Sequence, residues 1–277
     1  MALDLAASLG GRIALVTGGM GGIGRAAVRA LLDHGAHVAF TWAAGREDAA
    51  RAEALTAETA GRASAHALDL RDAGSIEACL DEVLVRWGRI DILVNNAAVG
   101  SATVAAYADE KPAQDSAMLA INADGALKMA QGFLARMRHR AEVAAPLKLI
   151  NFSSVGGGIA VFPGFRLSDG MSKAAVAFMT RQLAAELTGA AVDVFALCPG
   201  ATDTPMFRAS TLAGMTAEQR SHFTAVLPKQ RLIAPEEIAN LVVFLASAYS
   251  APLHGAVLDA SMGLGVRPGR MSEYDAH

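Results

Sequence analysis

Scarcity bounds this chain before any motif does. Its 277 residues contain two cysteines, Cys79 and Cys198, far apart in sequence and without a thiol or histidine at ligand spacing. That excludes a disulfide framework and a cysteine metal centre, and both thiols are expected to be small buried hydrophobes. Charge of one sign is missing too: the formal net charge is -3 and the pI about 6.2. No basic field exists for a polyphosphate backbone, so nucleic acid is not an expected partner. Every apolar stretch is cut by charge, Gly or Pro before reaching membrane-spanning length. The opening residues carry Asp4 where a secretory signal would be basic, and the expected location is a reducing cytoplasm, off the membrane.

Apolar residues are plentiful, at 53%, and a chain of this size can bury the core of one large α/β domain. Short Val/Ile/Leu runs alternate with segments of helical period, the pattern of a parallel sheet covered by helices. Strands are expected at 12–17, 36–41, 64–69, 90–94, 148–152, 191–197 and 256–259. The intervening helices are expected at 23–34, 46–59, 76–87, 122–139, 171–187 and 235–246. Gly35 and Gly88 stop two of them, and Pro235 opens the last. The expected fold is therefore an α/β, doubly wound, Rossmann-type parallel seven-stranded sheet flanked by helices, one domain over 1–277. The tail from Val266 reads as loosely ordered.

Between the first strand and first helix lies Thr17-Gly18-Gly19-Met20-Gly21-Gly22-Ile23-Gly24. A diphosphate needs bare backbone N–H groups at a helix N-terminus, and side chains would block its approach, which gives Gly18, Gly22 and Gly24 a reason to be glycine. The spacing T-G-x-x-x-G-x-G, together with Asn95-Asn96-Ala97-Ala98, Pro199-Gly200-Ala201-Thr202-Asp203-Thr204 and Arg231 with Pro235-Glu236-Glu237-Ile238, resembles the short-chain dehydrogenase/reductase family in motif and order. Ala98 departs from the family's glycine by one methyl group.

The resemblance implies a nicotinamide dinucleotide held by Thr17, Gly18, Met20, Gly22, Ile23, Gly24, Asp69, Leu70, Asn96, Ala97, Lys173, Pro199, Gly200, Thr202 and Thr204. After the second strand the chain reads Phe40-Thr41-Trp42-Ala43-Ala44-Gly45-Arg46, with no carboxylate before Glu47. An acidic residue there would favour NAD(H) and repel a ribose 2′-phosphate. Thr41 as donor and Arg46 as cation favour NADP(H) over NAD(H).

The family's working residues fall on Asn122, which would hold a water of the proton relay, Ser154, which would bond the substrate carbonyl, and Lys173, on the nicotinamide ribose. Its Y-x-x-x-K spacing puts tyrosine at position 169, where this chain has Asp169. The only tyrosines are Tyr107, Tyr249 and Tyr274, and a seven-residue spacing falls on Arg166. Beside Lys173, Asp169 is expected to stay ionised and to be a poor proton donor. Three readings follow. The first is an NADP(H)-dependent oxidoreductase of a carbonyl or alcohol substrate with altered or weakened proton transfer. The second is a catalytically inactive cofactor-binding regulatory or assembly subunit. The third is a non-redox lyase or isomerase with Asp169 as base.

A segment at about 203–228 is expected to form a substrate lid. Met206, Phe207, Leu212, Met215 and Phe223 would either face a hydrophobic small-molecule substrate or dock the lid on the core, and His222 reads as a polar lid residue. Loop 98–107 would line the other side. The resemblance also implies a homodimer or homotetramer through 123–138 and 171–187, where Ala174, Ala175, Ala177, Ala184 and Ala185 permit close helix approach.

Overall fold

The computed structural model describes residues 4–137 and 145–267. A short helix α1 (Leu5–Leu9), capped by Asp4, precedes β1 (Ile13–Val16), α2 (Gly22–Asp33), β2 (His37–Trp42), α3 (Ala49–Ala57), β3 (Ala63–Ala67), α4 (Ala73–Trp87) and β4 (Ile92–Asn95). Then come α5 (Lys111–Leu119), α6 (Ala126–Met137), β5 (Leu147–Phe152), α7 (Leu167–Glu186) and β6 (Val192–Pro199). The single turn α8 (Pro205–Phe207), α9 (Ala217–Val226), α10 (Pro235–Ala246) and β7 (Val257–Ala260) complete the order.

All seven strands are parallel, in the order β3-β2-β1-β4-β5-β6-β7. Because successive side chains point to opposite faces, each strand feeds two cores. Ala14 and Val16 of β1, Ile92 and Val94 of β4, and Phe195 and Leu197 of β6 join one core with α2 and α10. Leu15, Leu93 and Val194 join the other, with α4 and α6. The chain leaves β1 toward β2 and β3, then returns to place β4 on its other side. The carboxyl ends of β1 and β4 flank this reversal, where an open α/β sheet leaves a crevice for ligand. Both cysteines are buried thiols, and burial pushes Cys79 up to about 12.

The expected strands and the fold class are found, with boundaries shifted by one or two residues; β3 stops at Ala67, so Asp69 lies in the turn beyond it. The expected helix 122–139 is instead the greater part of a π-helical turn (Ala120–Gly125), which continues α5, followed by α6, with residues 138 and 139 outside the described residues. Helix α7 starts at Leu167, four residues before its expected beginning at Met171. Asp169 and Gly170 resemble a breaker in sequence, but Arg166 Nε and Ser168 Oγ both bind Asp115 Oδ1 of α5, at 2.7 and 2.5 Å, and pin this turn in place. Val266 is exposed, and the tail from 268 lies outside the described residues.

Candidate active site and cofactor cleft

The glycine turn is built by its neighbours. Thr17 Oγ1 accepts the N–H groups of Asn96 and Ala97 at 3.0 and 2.9 Å, and Asn96 Nδ2 donates back to the Thr17 carbonyl at 2.8 Å. The Gly18 N–H donates to Thr41 Oγ1 at 3.0 Å and the Gly19 N–H to the Thr41 carbonyl at 2.9 Å. Thr41 is thus buried as part of the scaffold of the turn, its hydroxyl accepting from Gly18 and keeping its own proton.

Gly18 sits at φ +66, where a side chain is strained, and a Cβ on Gly24 would lie 2.1 Å from the Gly18 carbonyl oxygen. A Cβ on Gly22 would meet the Thr204 methyl at 2.6 Å. These glycines are therefore required by packing within the protein, besides leaving the approach to backbone amides clear. The N–H groups of Met20, Gly22, Ile23 and Gly24 meet no acceptor among the described residues. Open donors at the head of a helix fit a diphosphate in charge and hydrogen bonding, as a dinucleotide requires.

The opposite wall comes from the end of β6. Gly200 packs against Ser261, where a Cβ would approach its Cα to 2.9 Å. Thr202 Oγ1 donates to the Gly200 carbonyl at 3.0 Å, and Thr204 Oγ1 accepts from Phe207 N–H at 3.1 Å. Pro199 through Thr204 are so turned over the carboxyl edge toward Gly22.

In the turn after β3, Leu70 is buried. Asp69 does not present a free carboxylate: Arg71 Nε and Nη2 clasp it at 3.0 and 2.6 Å, which holds its carboxyl below the ordinary range. Arg46 donates to the Ala106 carbonyl and lays its guanidinium over the Tyr107 ring. It thereby joins the loop after β2 to the loop after β4, ahead of α3 rather than within the expected helix 46–59. Arg71 is not among the expected site residues, and Tyr107 enters the expectation only as the last residue of loop 98–107 on the substrate side; the signal is their position after Asp69 and in the loop after β4.

Farther along the cleft, β5 ends at Phe152. Ser153 Oγ donates to the Lys173 carbonyl at 2.8 Å and ties this end to α7. Ser154 is half-buried; its Oγ accepts the Gly156 N–H at 3.2 Å and keeps its own proton for donation. Lys173 Nζ is buried against the Phe152 carbonyl at 3.4 Å. Burial pulls its pKa down, against the opposing effect of Asp169. Asn122 is buried, with Oδ1 accepting Val99 N–H at 2.8 Å and Nδ2 donating to the Val99 carbonyl at 2.9 Å and to Ser172 Oγ at 3.3 Å. Its amide is spent on holding the loop after β4 against α7, which makes its side chain a positioning group.

Asp169 occupies the first turn of α7, half-buried, and no donor reaches its carboxylate among the described residues. Burial raises its pKa, and Lys173 and Arg166 oppose that without overcoming it. The expectation that Lys173 holds Asp169 in the ordinary range or lower is therefore overturned: Lys173 makes no ion pair with it within 4.0 Å, so desolvation prevails.

The expected apolar inner face of 203–228 is mostly committed. Phe223, Leu227 and Ala201 form a small core joined by Phe207, Leu212 and Met215. Met206 stays partly exposed, and a Cβ on Gly100 would touch it at 3.1 Å. His222 is exposed. No group of three or more His, Cys, Asp or Glu able to hold a metal ion occurs among the described residues, and no described helix is long and apolar enough to cross a membrane.

Residues 18–265 match the family model described as enoyl-(acyl carrier protein) reductase. The chain belongs to the short-chain dehydrogenase/reductase family. Within that family it is 34% identical over 262 residues to D-threitol dehydrogenase of Mycolicibacterium smegmatis, covering 93% of this chain and 94% of the relative. Among solved members, the RhlG/NADP active-site complex of Pseudomonas aeruginosa superposes with TM-score 0.81 at 30% identity, covering 96% of this chain and 100% of that one. The 3-ketoacyl-(acyl-carrier-protein) reductase of Brucella melitensis complexed with NADH gives 0.80 at 27% identity, with 93% and 100% covered. Oxidoreductases binding either nicotinamide cofactor are thus structural relatives.

Proposed function

We propose that the protein is an NADP(H)-dependent carbonyl/alcohol oxidoreductase in which Asp169, at the family's tyrosine position, takes over the proton transfer. The observation carrying this reading is the half-buried carboxyl of Asp169, one helical turn before buried Lys173 and without a donor among the described residues. The bound dinucleotide supplies hydride. Met20, Gly22, Ile23 and Gly24 receive its diphosphate, Pro199 to Thr204 cover the nicotinamide side, and Lys173 takes the ribose.

Ser154 donates its free proton to the substrate oxygen and orients it. Asp169, raised in pKa by burial, holds a proton closer to neutrality than a surface carboxyl does. It donates this proton to the oxygen, through water where the shorter side chain falls short of a phenol's reach, and is reprotonated from solvent. In alcohol oxidation the same carboxylate accepts the proton. Asn122 and Ser172 keep the turn of α7 in register with the loop after β4. Met206 and the segment 203–228 close over a small, partly apolar substrate.

The outer face of α7 leaves Leu167, Met171 and Phe178 exposed at helical spacing, while Ala177 and Ala184 turn into the core. This face supports assembly as a homodimer or homotetramer.

The test is turnover of a carbonyl panel with NADPH by the wild type, Asp169→Asn and Asp169→Tyr. Asp169→Asn is expected to lose about a hundredfold or more in reduction while still binding NADPH, and Asp169→Tyr to gain. Reduction by the wild type is expected to fall as pH rises through the raised carboxyl pKa. Inactivity of wild type and Asp169→Tyr alike, with NADPH bound, would replace this reading with that of a cofactor-binding subunit.

A further inference from the structure

At the adenosine end of the cleft two guanidiniums share one aromatic ring. Arg46, from the loop after β2, places Cζ 3.9 Å from the Tyr107 ring centroid, and Arg71, from the turn after β3, places its Cζ at 4.9 Å. Tyr107 follows the short 3-10 turn Thr103–Ala106, and its ring is anchored against the core under β4. Three loops that are distant in sequence therefore meet on this ring.

Two like charges held on one ring repel, and cation–π attraction offsets only part of this. One carboxylate lies within ion-pair distance of either cation among the described residues, that of Asp69 on Arg71. Glu47 is turned back, its Oε2 accepting Ala43 N–H at 2.7 Å. The cluster therefore has room in its charge balance for an anion, and Arg71 carries the planar fork that matches phosphate oxygens as well as carboxylate oxygens.

We propose that Arg71 and Tyr107, with Arg46, form the seat of a ribose 2′-phosphate, in which Arg71 keeps Asp69 on Nε and Nη2 and offers Nη1 to the phosphate beside Arg46, and Tyr107 fixes both guanidiniums. The inference rests on the NADP(H) reading above and names the residues that would produce that preference. Arg71 has a double effect here: it supplies a cation and masks Asp69, whose bare carboxylate would repel a 2′-phosphate. Tyr107 acts through its ring face; its hydroxyl is not required.

Calorimetric titration of the intact protein with adenosine 2′,5′-bisphosphate and with 5′-AMP tests this without turnover. Wild type is expected to prefer the bisphosphate. Arg71→Ala and Tyr107→Leu are each expected to weaken bisphosphate binding about tenfold while leaving 5′-AMP within about twofold, and Tyr107→Phe is expected to match wild type. Discrimination that survives in Arg71→Ala and Tyr107→Leu but disappears in Arg46→Ala would overturn the proposal and leave the NADP(H) reading standing. Equal weakening of both ligands, with a lowered melting temperature, would also overturn it by making the cluster structural. A wild type that binds the two nucleotides alike would remove the NADP(H) reading itself.

Discussion

The two edges of the sheet are built by opposite rules. At the amino edge, where the strands begin, buried charge is matched group by group. Arg12 donates to the carbonyls of Ala246, Asp91 and Pro146 at 3.0, 3.2 and 2.8 Å. Asp91 accepts Ile13 N–H at 2.8 Å and Arg89 Nε at 2.9 Å. Lys148, wholly buried, meets Asp193 on the next strand at 2.6 Å and Ser250 Oγ at 3.0 Å. At the carboxyl edge four backbone donors and the Asp169 carboxyl are left open among the described residues. Matching binds the strands together; openness is what a ligand completes. Stability and chemistry are thereby assigned to different ends of the same strands.

The sharpest way to break this comparison is Lys148→Met, which strands the Asp193 charge. It is expected to cost about 3–5 kcal/mol in urea unfolding. Lys148→Met/Asp193→Leu should recover most of that loss, and NADPH affinity of the folded protein should be unchanged. Gly24→Ala comes next, at about 1–3 kcal/mol, since its methyl group drives into the Gly18 carbonyl; it should also weaken NADPH binding. Neutral loss there would mean the turn is slack instead of packed.

Asp169→Asn is expected to act in the other direction, raising stability at alkaline pH by about 0.5–2 kcal/mol. Burial lifts the folded carboxyl pKa above its unfolded value, so the folded state retains the proton longer. Wild-type stability should therefore decline as pH rises from the ordinary carboxylate range through the raised value, and the variant should lack that slope in thermal melts. The smallest effect belongs to Glu237→Gln. Arg231 and the Ala234 N–H hold this exposed carboxyl down at about 2, so its contribution is present above the unfolded value and lost as pH falls toward 2. Melting curves of variant and wild type should converge over that acid window.

Strands were legible because a parallel sheet covered on both faces writes itself as short runs of Val, Ile and Leu, and β1, β5 and β6 lie within two residues of their expected ends. The glycine turn was legible for a similar reason: its constraint is local and backbone-based. What sequence concealed depended on burial and on contacts between distant loops. Asp169 beside Lys173 looks like an ionised pair until its desolvation is known. The seating of Thr41 against Gly18 and of Arg46 on the Tyr107 ring is likewise invisible in sequence. Asp115, fifty-two residues before the start of α7 at Leu167, decides where that helix begins.

The π-helical turn between α5 and α6 holds one residue more per turn than its flanks, so it is a phase slip built into an otherwise continuous rod. Deleting a residue there would let the rod run in regular α-helical step and would rotate everything beyond it by about a quarter turn or more. Either Asn122 would leave Val99 or Met129 and Phe133 would leave the core. The length of this segment is consequently fixed to the residue: substitutions around it can be absorbed, but a one-codon deletion cannot.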